Sequence, residues 1–364
     1  MNLLPVLSLF LPGVALDFTE MAPAMGGDAE LRYSFSQERA QLMEGSAQVG
    51  TRIISTHQVN TLVSFNPVKG AGLFFILPTS PDTTVSFTDA QQMGFDPGND
   101  SGSMLTTDSL SSPPTISGSG LQGVWLGLRG SPLHEELYAS RGDRVSWVFD
   151  IGYRFKDKTH FYTVDSEGSR GSGPGSSAWL LQGAFSTTHN QTQPYVVVRW
   201  LSSGVALSDI TDEDGTVLTK NVDIRPASTV SLRTGAAFPG HHWGQGVNAG
   251  RFLFDPHLEF GYQSWQDVPS GTYLPDVLDA SLGLLATESE HVFLSSGLNL
   301  DIRIMKYLEL DIGADVGIRS ARRVEHFYPI STSMGTLTWQ ASAALRFRAR
   351  EPMMPSPTSS GFAP

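Results

Sequence analysis

The chain contains no cysteine at all. It therefore has no disulfide frame, no thiolate metal site and no cysteine nucleophile. It is also short of charge: 16% of its 364 residues are Asp, Glu, Lys or Arg, against about 25% in an average soluble protein. Long apolar runs are missing too. Past the N-terminus no stretch reaches the roughly 18 apolar residues that a membrane-spanning helix requires. Basic residues are the minority charge, 24 against 36 acidic for a net of −12, which argues against a nucleic-acid partner.

What replaces charge is not grease. Hydrophobic residues make up 40% and glycine contributes 37 positions, yet the mean hydropathy is slightly negative, at −0.10. An aromatic content of 10% is too high for a disordered chain. Residues 1–16 hold the one apolar N-terminal stretch, LLPVLSLFLPGVAL, with Gly13 and Ala15 where a cleavage site needs small residues. It is too short to span a bilayer and reads as a secretory signal, although no Lys or Arg precedes it.

The dominant period is two. Leu308, Leu310, Ile312, Ala314, Val316 and Ile318 alternate with Glu309, Asp311, Gly313, Asp315 and Gly317, so one face of a strand is apolar and the other acidic or small. The preceding segment, 292–304, does the same. The two join at Met305-Lys306, which predicts a tight hairpin. The pattern recurs at 145–155, 252–263 and 337–348 and, more weakly, near 31–36, 61–68, 72–78, 121–129, 177–186, 194–201 and 228–238. This gives about twelve strands, many near the roughly 9–11 residues of a tilted membrane strand. Polar links separate them at 79–118, 156–174, 203–227, 240–250, 266–276 and 319–335. Only SQERAQLMEG (36–45) has any helical character, and the Pro/Ser-rich tail 350–364 reads as disordered.

A soluble β-sandwich would also alternate, but its strands average about 5–6 residues, and its outer face would carry a dense Lys/Glu mixture. Here the polar faces are Gly, Ser and Asn with sparse ions. Trp147, Tyr153, Trp200, Tyr262, Tyr307 and Trp339 fall near strand ends, as interfacial girdles do. The expected fold is all-β: a transmembrane antiparallel β-barrel of about 12 strands with long extracellular loops. It spans 30–349, with a long loop insert at 79–118, and lies in the bacterial outer membrane. Its expected partners are outer-membrane lipids, a small-molecule solute and the outer-membrane assembly machinery.

The order of the strands RYSFSQ, TLVSFNPVKGAGLFFILP, LQGVWLGLRGSP, RVSWVFDIGYRF, GSGPGSSAWLLQGAFST and QPYVVVRWLSSG resembles the outer-membrane transporter barrels grouped with the phenol-degradation meta-pathway proteins. These are distant relatives of fatty-acid channels of the FadL type. The resemblance covers roughly Leu31 to Arg348 and implies a pore of about twelve strands for an unassigned substrate. It departs at the end, because such barrels usually finish on an aromatic residue and here the chain continues past Phe347.

With the apolar faces toward lipid, the lumen receives Asp150, Arg154, Arg199, Arg233, Asp255, His257, Glu259, Asp301, Arg303, Glu309, Asp311, Asp315, Arg319, Arg346 and Arg348. Asp301 and Arg303 should neighbour Glu309 and Asp311 across the hairpin, with Arg346 and Arg348 within reach. Such a set is first a structural network, since an isolated charge there costs stability. It is second a region that sorts solutes by charge. Metal, cofactor and catalytic sites are not expected. His241 and His242 lie in the loop GHHWGQG, where adjacent side chains diverge. HEEL at His134 lacks the second histidine of a zinc-protease helix. His257 between Asp255 and Glu259 could be a base held by a carboxylate, but no GxSxG occurs. The functional expectation is a channel or transporter that passes small, in particular hydrophobic, solutes by passive diffusion. A plugged barrel with a structural or surface-interaction role is the alternative, and an outer-membrane hydrolase a lesser one.

Overall fold

The computed structural model describes residues 25–44, 46–88, 115–133, 144–156, 171–173, 175–188, 192–211, 217–244, 250–265, 287–305, 307–325 and 330–349. The expected signal (1–16), the tail (350–364) and HEEL at 134–137 lie outside them. Among the described residues every regular element is a strand: β1 Gly26–Glu44, β2 Ala47–Val68, β3 Ala71–Thr88, β4 Thr115–Leu121, β5 Trp125–Leu133, β6 Arg144–Arg154, β7 Ala178–Thr188, β8 Gln193–Ser203, β9 Ala206–Thr211, β10 Val217–Ile224, β11 Thr229–Trp243, β12 Gly250–Gln263, β13 Thr287–Glu288, β14 His291–Met305, β15 Leu308–Arg319, β16 Arg322–Glu325 and β17 Ile330–Ala349.

Twelve of these form one antiparallel sheet in the order β1-β2-β3-β5-β6-β7-β8-β11-β12-β14-β15-β17, and β17 pairs with β1 to close it. Closure runs from Gly27 opposite Ala349 to Met43 opposite Thr332. A closed barrel satisfies every ladder hydrogen bond internally and leaves no edge, as a β-structure in lipid requires. Short strands sit on the rim: β4 beside β3, β16 beside β17, β13 beside β16, and a separate hairpin of β9 and β10. The even strand number puts Gly26 and Ala349 at the same end, together with the connections at 69–70, 134–143, 189–192, 244–249 and 306–307. The connections at 45–46, 89–114, 155–177, 204–228, 264–290 and 320–329 lie at the other end. Short turns face the periplasm and longer loops the exterior in such barrels.

Several expected loops are partly strand. Thr79–Thr88 continues β3, and Thr115–Leu121 pairs back onto it as β4. The link 203–227 contains the β9–β10 hairpin, 240–243 belongs to β11, and 319–335 contains β16 and the start of β17. These segments alternate too weakly to read as strands, and backbone pairing above the membrane holds them without an apolar face. The helical reading of 36–45 is also overturned through Glu44, where β1 ends. Ser36, Glu38, Ala40 and Leu42 are buried while Arg39 and Gln41 are exposed, a strand period inside a fully paired ladder with β2 and β17.

The side chains are arranged inside out relative to a soluble protein. Leu31, Val63, Leu73, Leu128, Ile151, Val198, Leu232, Phe260, Leu294, Ile312, Val316 and Leu345 are exposed, whereas Arg32, Arg154, Glu309 and Arg346 are buried. Of the six aromatics expected at strand ends, Trp147, Tyr153, Trp200, Tyr262 and Trp339 face outward, while Tyr307 is half-buried at the β14–β15 turn. Tyr153, Trp200, Tyr262 and Trp339 lie toward the long-loop end, Trp147 and Tyr307 toward the short-turn end. Phe35 packs on Trp339 and His57 at centroid distances of 5.0 and 4.7 Å. Beyond it the outward positions of β1 become Gln37, Arg39 and Gln41, which marks the membrane boundary on that side. Lipid contact makes a concrete demand on Ile312, outward on the middle of β15. Ile312→Arg is expected to lower barrel stability by about 2–4 kcal/mol, read from denaturant unfolding in lipid vesicles. The inward-facing Ser342→Arg should not follow the same depth-dependent trend.

Candidate functional site

The lumen wall is built from hydrogen-bonded rows that cross neighbouring strands. One row places Arg303 (β14), Glu309 (β15), Arg346 (β17) and Glu30 (β1) side by side, so charge alternates over four strands. Opposite charges directly across a ladder attract, and like charges there repel. Arg303 Nε donates to Glu309 Oε1 at 2.6 Å, and Arg346 Nε and Nη2 donate to Glu30 Oε2 at 2.9 and 2.7 Å. Arg348 meets Glu309 at 2.5 Å. One step up the wall, Arg32 donates to Glu30 at 2.6 Å and to Asp311 at 3.0 Å, spanning from β1 over β17 to β15. Asp301 sits directly opposite Asp311.

A second network follows β5 to β12. Arg129 binds Asp150 in a fork, Nε to Oδ1 at 2.8 Å and Nη2 to Oδ2 at 3.0 Å. Gln182 then donates to Asp150 at 3.0 Å, and Arg199 donates to Gln182 Oε1 at 3.0 Å. Beside it Arg233 Nε and Nη2 both donate to Glu259 Oε2, at 3.0 and 2.7 Å. Two further contacts skip a strand entirely. Tyr195 on β8 donates to Asp255 on β12 at 3.2 Å, passing over Gly235 on β11; His257 on β12 bonds Asp315 on β15 at 2.7 Å, passing over Gly297 on β14. A Cβ at Gly235 would strike the Tyr195 phenol, and one at Gly297 would strike both His257 and Asp315. Glycine is required there because a side chain lies across the backbone.

Every member of the sequence-derived set is on the inner wall. Asp150, Arg154, Arg233, Asp255, His257, Glu259, Asp301, Glu309, Asp311 and Arg346 are buried, and Arg303 and Asp315 half-buried. Arg199, Arg319 and Arg348 join them. The hairpin brings Arg303 to Glu309 as anticipated, and Arg346 and Arg348 complete the group. The carboxylate at His257 is a different one, however. Its Nε2 engages Asp315, while Glu259 is taken by Arg233 and Asp255 by Tyr195 and Asn299. Sequence reasoning missed Glu30, Arg32, Glu38, Arg52, Arg129, Tyr195 and Arg322. The weak alternation near 31–36 was the only signal for the first two, and barrel closure, which no local pattern reveals, gives them partners. His241 and His242 lie on β11, exposed, not in a loop, with His241 stacked on Trp243. Among the described residues no group of His, Asp or Glu is placed to hold a metal ion.

Part of the inner wall is apolar. Phe74 and Ile76 (β3), Trp125 (β5), Ala178 and Leu180 (β7) and Leu201 (β8) form one buried cluster against Leu62 (β2). It continues the row that carries the charge ladder: Glu30 pairs with Leu62, Leu62 with Ile76, and Ile76 with Trp125. Arg154 lies over the Trp125 ring at 5.4 Å, a cation–π contact. The apolar patch thus lies on the same strands as the Arg129–Asp150–Gln182–Arg199 network and is bordered by ionic groups.

A closed twelve-stranded barrel with a lipid-facing apolar surface, outward aromatics toward the long-loop end and a polar, ion-paired interior is a transmembrane β-barrel of the bacterial outer membrane. No family model and no curated protein matches the chain, so the resemblance to the phenol-degradation group has no counterpart at family level. Solved structures align with the chain. An outer-membrane channel from Pseudomonas putida F1 aligns over 91% of this chain and 98% of its own, at 11% identity and a TM-score of 0.52. A Pseudomonas aeruginosa FadL homologue aligns over 90% and 91%, at 10% identity and 0.41. The TodX monoaromatic hydrocarbon channel aligns over 90% and 91%, at 11% and 0.35. The likeness to the Pseudomonas putida channel is one of fold.

The glycine slots give a test of the wall. Gly297→Val should cost about 1–3 kcal/mol through overpacking and detach His257 from Asp315. The NMR signal of the imidazole proton shared between His257 and Asp315 would then be lost. A retained signal with unchanged stability would mean that the side chains do not cross the strand.

Proposed function

We propose that the chain is an outer-membrane channel that passes small solutes with substantial apolar surface by passive diffusion. The observation that carries this reading is an apolar patch on the inner wall: Phe74, Ile76, Trp125, Leu180 and Leu201 occupy inward positions in a barrel whose inward face is largely polar and ionic. Apolar side chains facing water are disfavoured, whereas a solute with its own apolar face would be drawn to them, beside the polar and ionic groups of the same wall. Selectivity would then come from the wall as a whole, with the ladder at Glu30, Arg303, Glu309 and Arg346 both holding the strands and presenting charge to the solute. The fold shared with the Pseudomonas putida channel is compatible with this role.

The test is uptake of radiolabelled neutral solutes of similar size and rising hydrophobicity, in a channel-deficient Gram-negative host expressing the chain. Uptake should rise with apolar surface, and Phe74→Ser and Leu180→Ser should lower it for the apolar members while folded barrel is retained on unheated gels. Equal uptake of all solutes would indicate a general pore. No uptake above the empty host would favour a structural role.

A further inference from the structure

Near the short-turn end, the alternation of charge along the inner wall breaks at two successive levels. In one hydrogen-bonded row Arg251 (β12) stands directly opposite Arg303 (β14). Two residues deeper into the barrel, Asp301 (β14) stands between Leu253 (β12) and Asp311 (β15). Like charges directly across a ladder repel, so two unfavourable pairs of opposite sign are stacked along β14. One member of each pair is answered from elsewhere: Arg303 by Glu309 at 2.6 Å and Asp311 by Arg32 at 3.0 Å. The other two, Arg251 and Asp301, are not. Asp301 is 4% exposed, and its Oδ1 and the Nε of Arg251 are buried without a hydrogen-bond partner. Among the described residues neither side chain forms an ion pair. The two are diagonal neighbours, about 7–8 Å apart by ladder geometry and within reach of a long side chain, yet they are not joined. An inward carboxylate left in that state is costly.

We propose that Arg251 and Asp301 form a binding position for a small zwitterion, with the solute's ammonium group on Asp301 and its carboxylate on Arg251. The class follows from the order of the charges. Two guanidinium groups lie nearer the turns and two carboxylates lie deeper, so an ion of one sign meets attraction at one level and repulsion at the next. A solute with both charges a few bonds apart satisfies the two levels together, and it adds no net charge to the ion-paired wall beside it. Arg303 is 21% exposed, so a carboxylate that reaches Arg251 meets a second guanidinium, the side chain that best matches its fork. An ammonium group has three donors, and the Oδ1 atoms of Asp301 and of the facing Asp311 both lack a hydrogen-bond partner. Leu253, directly opposite Asp301 and packed on Ala237, offers a surface to an apolar body. The fitting class is therefore an amino acid with an apolar side chain. The inference rests on the channel reading for the route of the solute and adds the solute's charge to it, but binding at this position can be measured by itself.

The experiment is a thermal midpoint measurement on the detergent-solubilised barrel, followed by heat-modifiable migration. The probes are leucine, its single-charge analogues 4-methylpentanoate and 3-methylbutylamine, and glycine, all at equal ionic strength. Leucine is expected to raise the midpoint of the wild type, and each of the other three to raise it less. Asp301→Asn and Arg251→Gln should each weaken leucine binding about tenfold, the loss of one charge-assisted contact. Should either variant not fold, the comparison of leucine with its two analogues on the wild type decides the matter alone. No leucine shift in the wild type up to high millimolar concentration overturns the proposal, as does a shift that survives both substitutions. An equal shift with either single-charge analogue overturns the assignment to a zwitterion, and an equal shift with glycine overturns the role of Leu253. Leucine binding with no uptake of neutral solutes would sink the channel reading and leave the binding position standing. Uptake of apolar solutes without leucine binding would do the reverse.

Discussion

The structure depends on one requirement: charged groups turned away from lipid must find partners across strands. Lipid takes one face of each strand, so every inward ionic side chain must be answered from a neighbouring strand or the one beyond it. The row Arg303, Glu309, Arg346, Glu30 meets that requirement with alternating sign, and its last pair joins the final strand to the first. Backbone pairing closes the ring, but the bridge of Arg346 to Glu30 makes that closure specific to these two strands. A shift of one residue in register would set Glu30 opposite a lipid-facing position of β17 and put the two charges on opposite faces.

The same requirement explains the composition. Apolar residues are spread one at a time along strands, which yields 40% hydrophobic content without a long apolar run. Glycine is abundant partly because arginines, tyrosines and histidines are long enough to lie over a neighbouring strand, and Gly235 and Gly297 clear the path for two of them. The apolar cluster around Phe74 and Trp125 interrupts the ionic pattern as a patch on strands that also carry the Arg129–Asp150–Gln182–Arg199 network. That patch gives the channel reading its support.

The barrel was legible in the sequence wherever alternation was strong and the strands were joined by a short turn. The 292–318 hairpin could be read residue by residue, and its inward charges with it. Closure could not be read, because β1 and β17 lie at opposite ends of the chain and no spacing rule links Glu30 to Arg346. Residues 36–44 looked helical because Glu38, Arg39 and Gln41 have good helix propensity; pairing on both sides overrode it. The carboxylate at His257 was misassigned because residues two apart on one strand look close in sequence, whereas the actual partner, Asp315, lies across an intervening glycine. The contacts of Glu38 with Arg52, Arg319 and Arg322 escaped for a related reason, since the four residues come from four different strands.

The central claim is that the first and last strands are held together by an ion pair inside the lumen. A double-mutant cycle on Glu30→Gln and Arg346→Gln, read from denaturant unfolding in lipid vesicles, tests it most directly. The account predicts a coupling energy of about 1.5–3 kcal/mol, as for a hydrogen bond between charged groups. Additivity to within about 0.5 kcal/mol would contradict it.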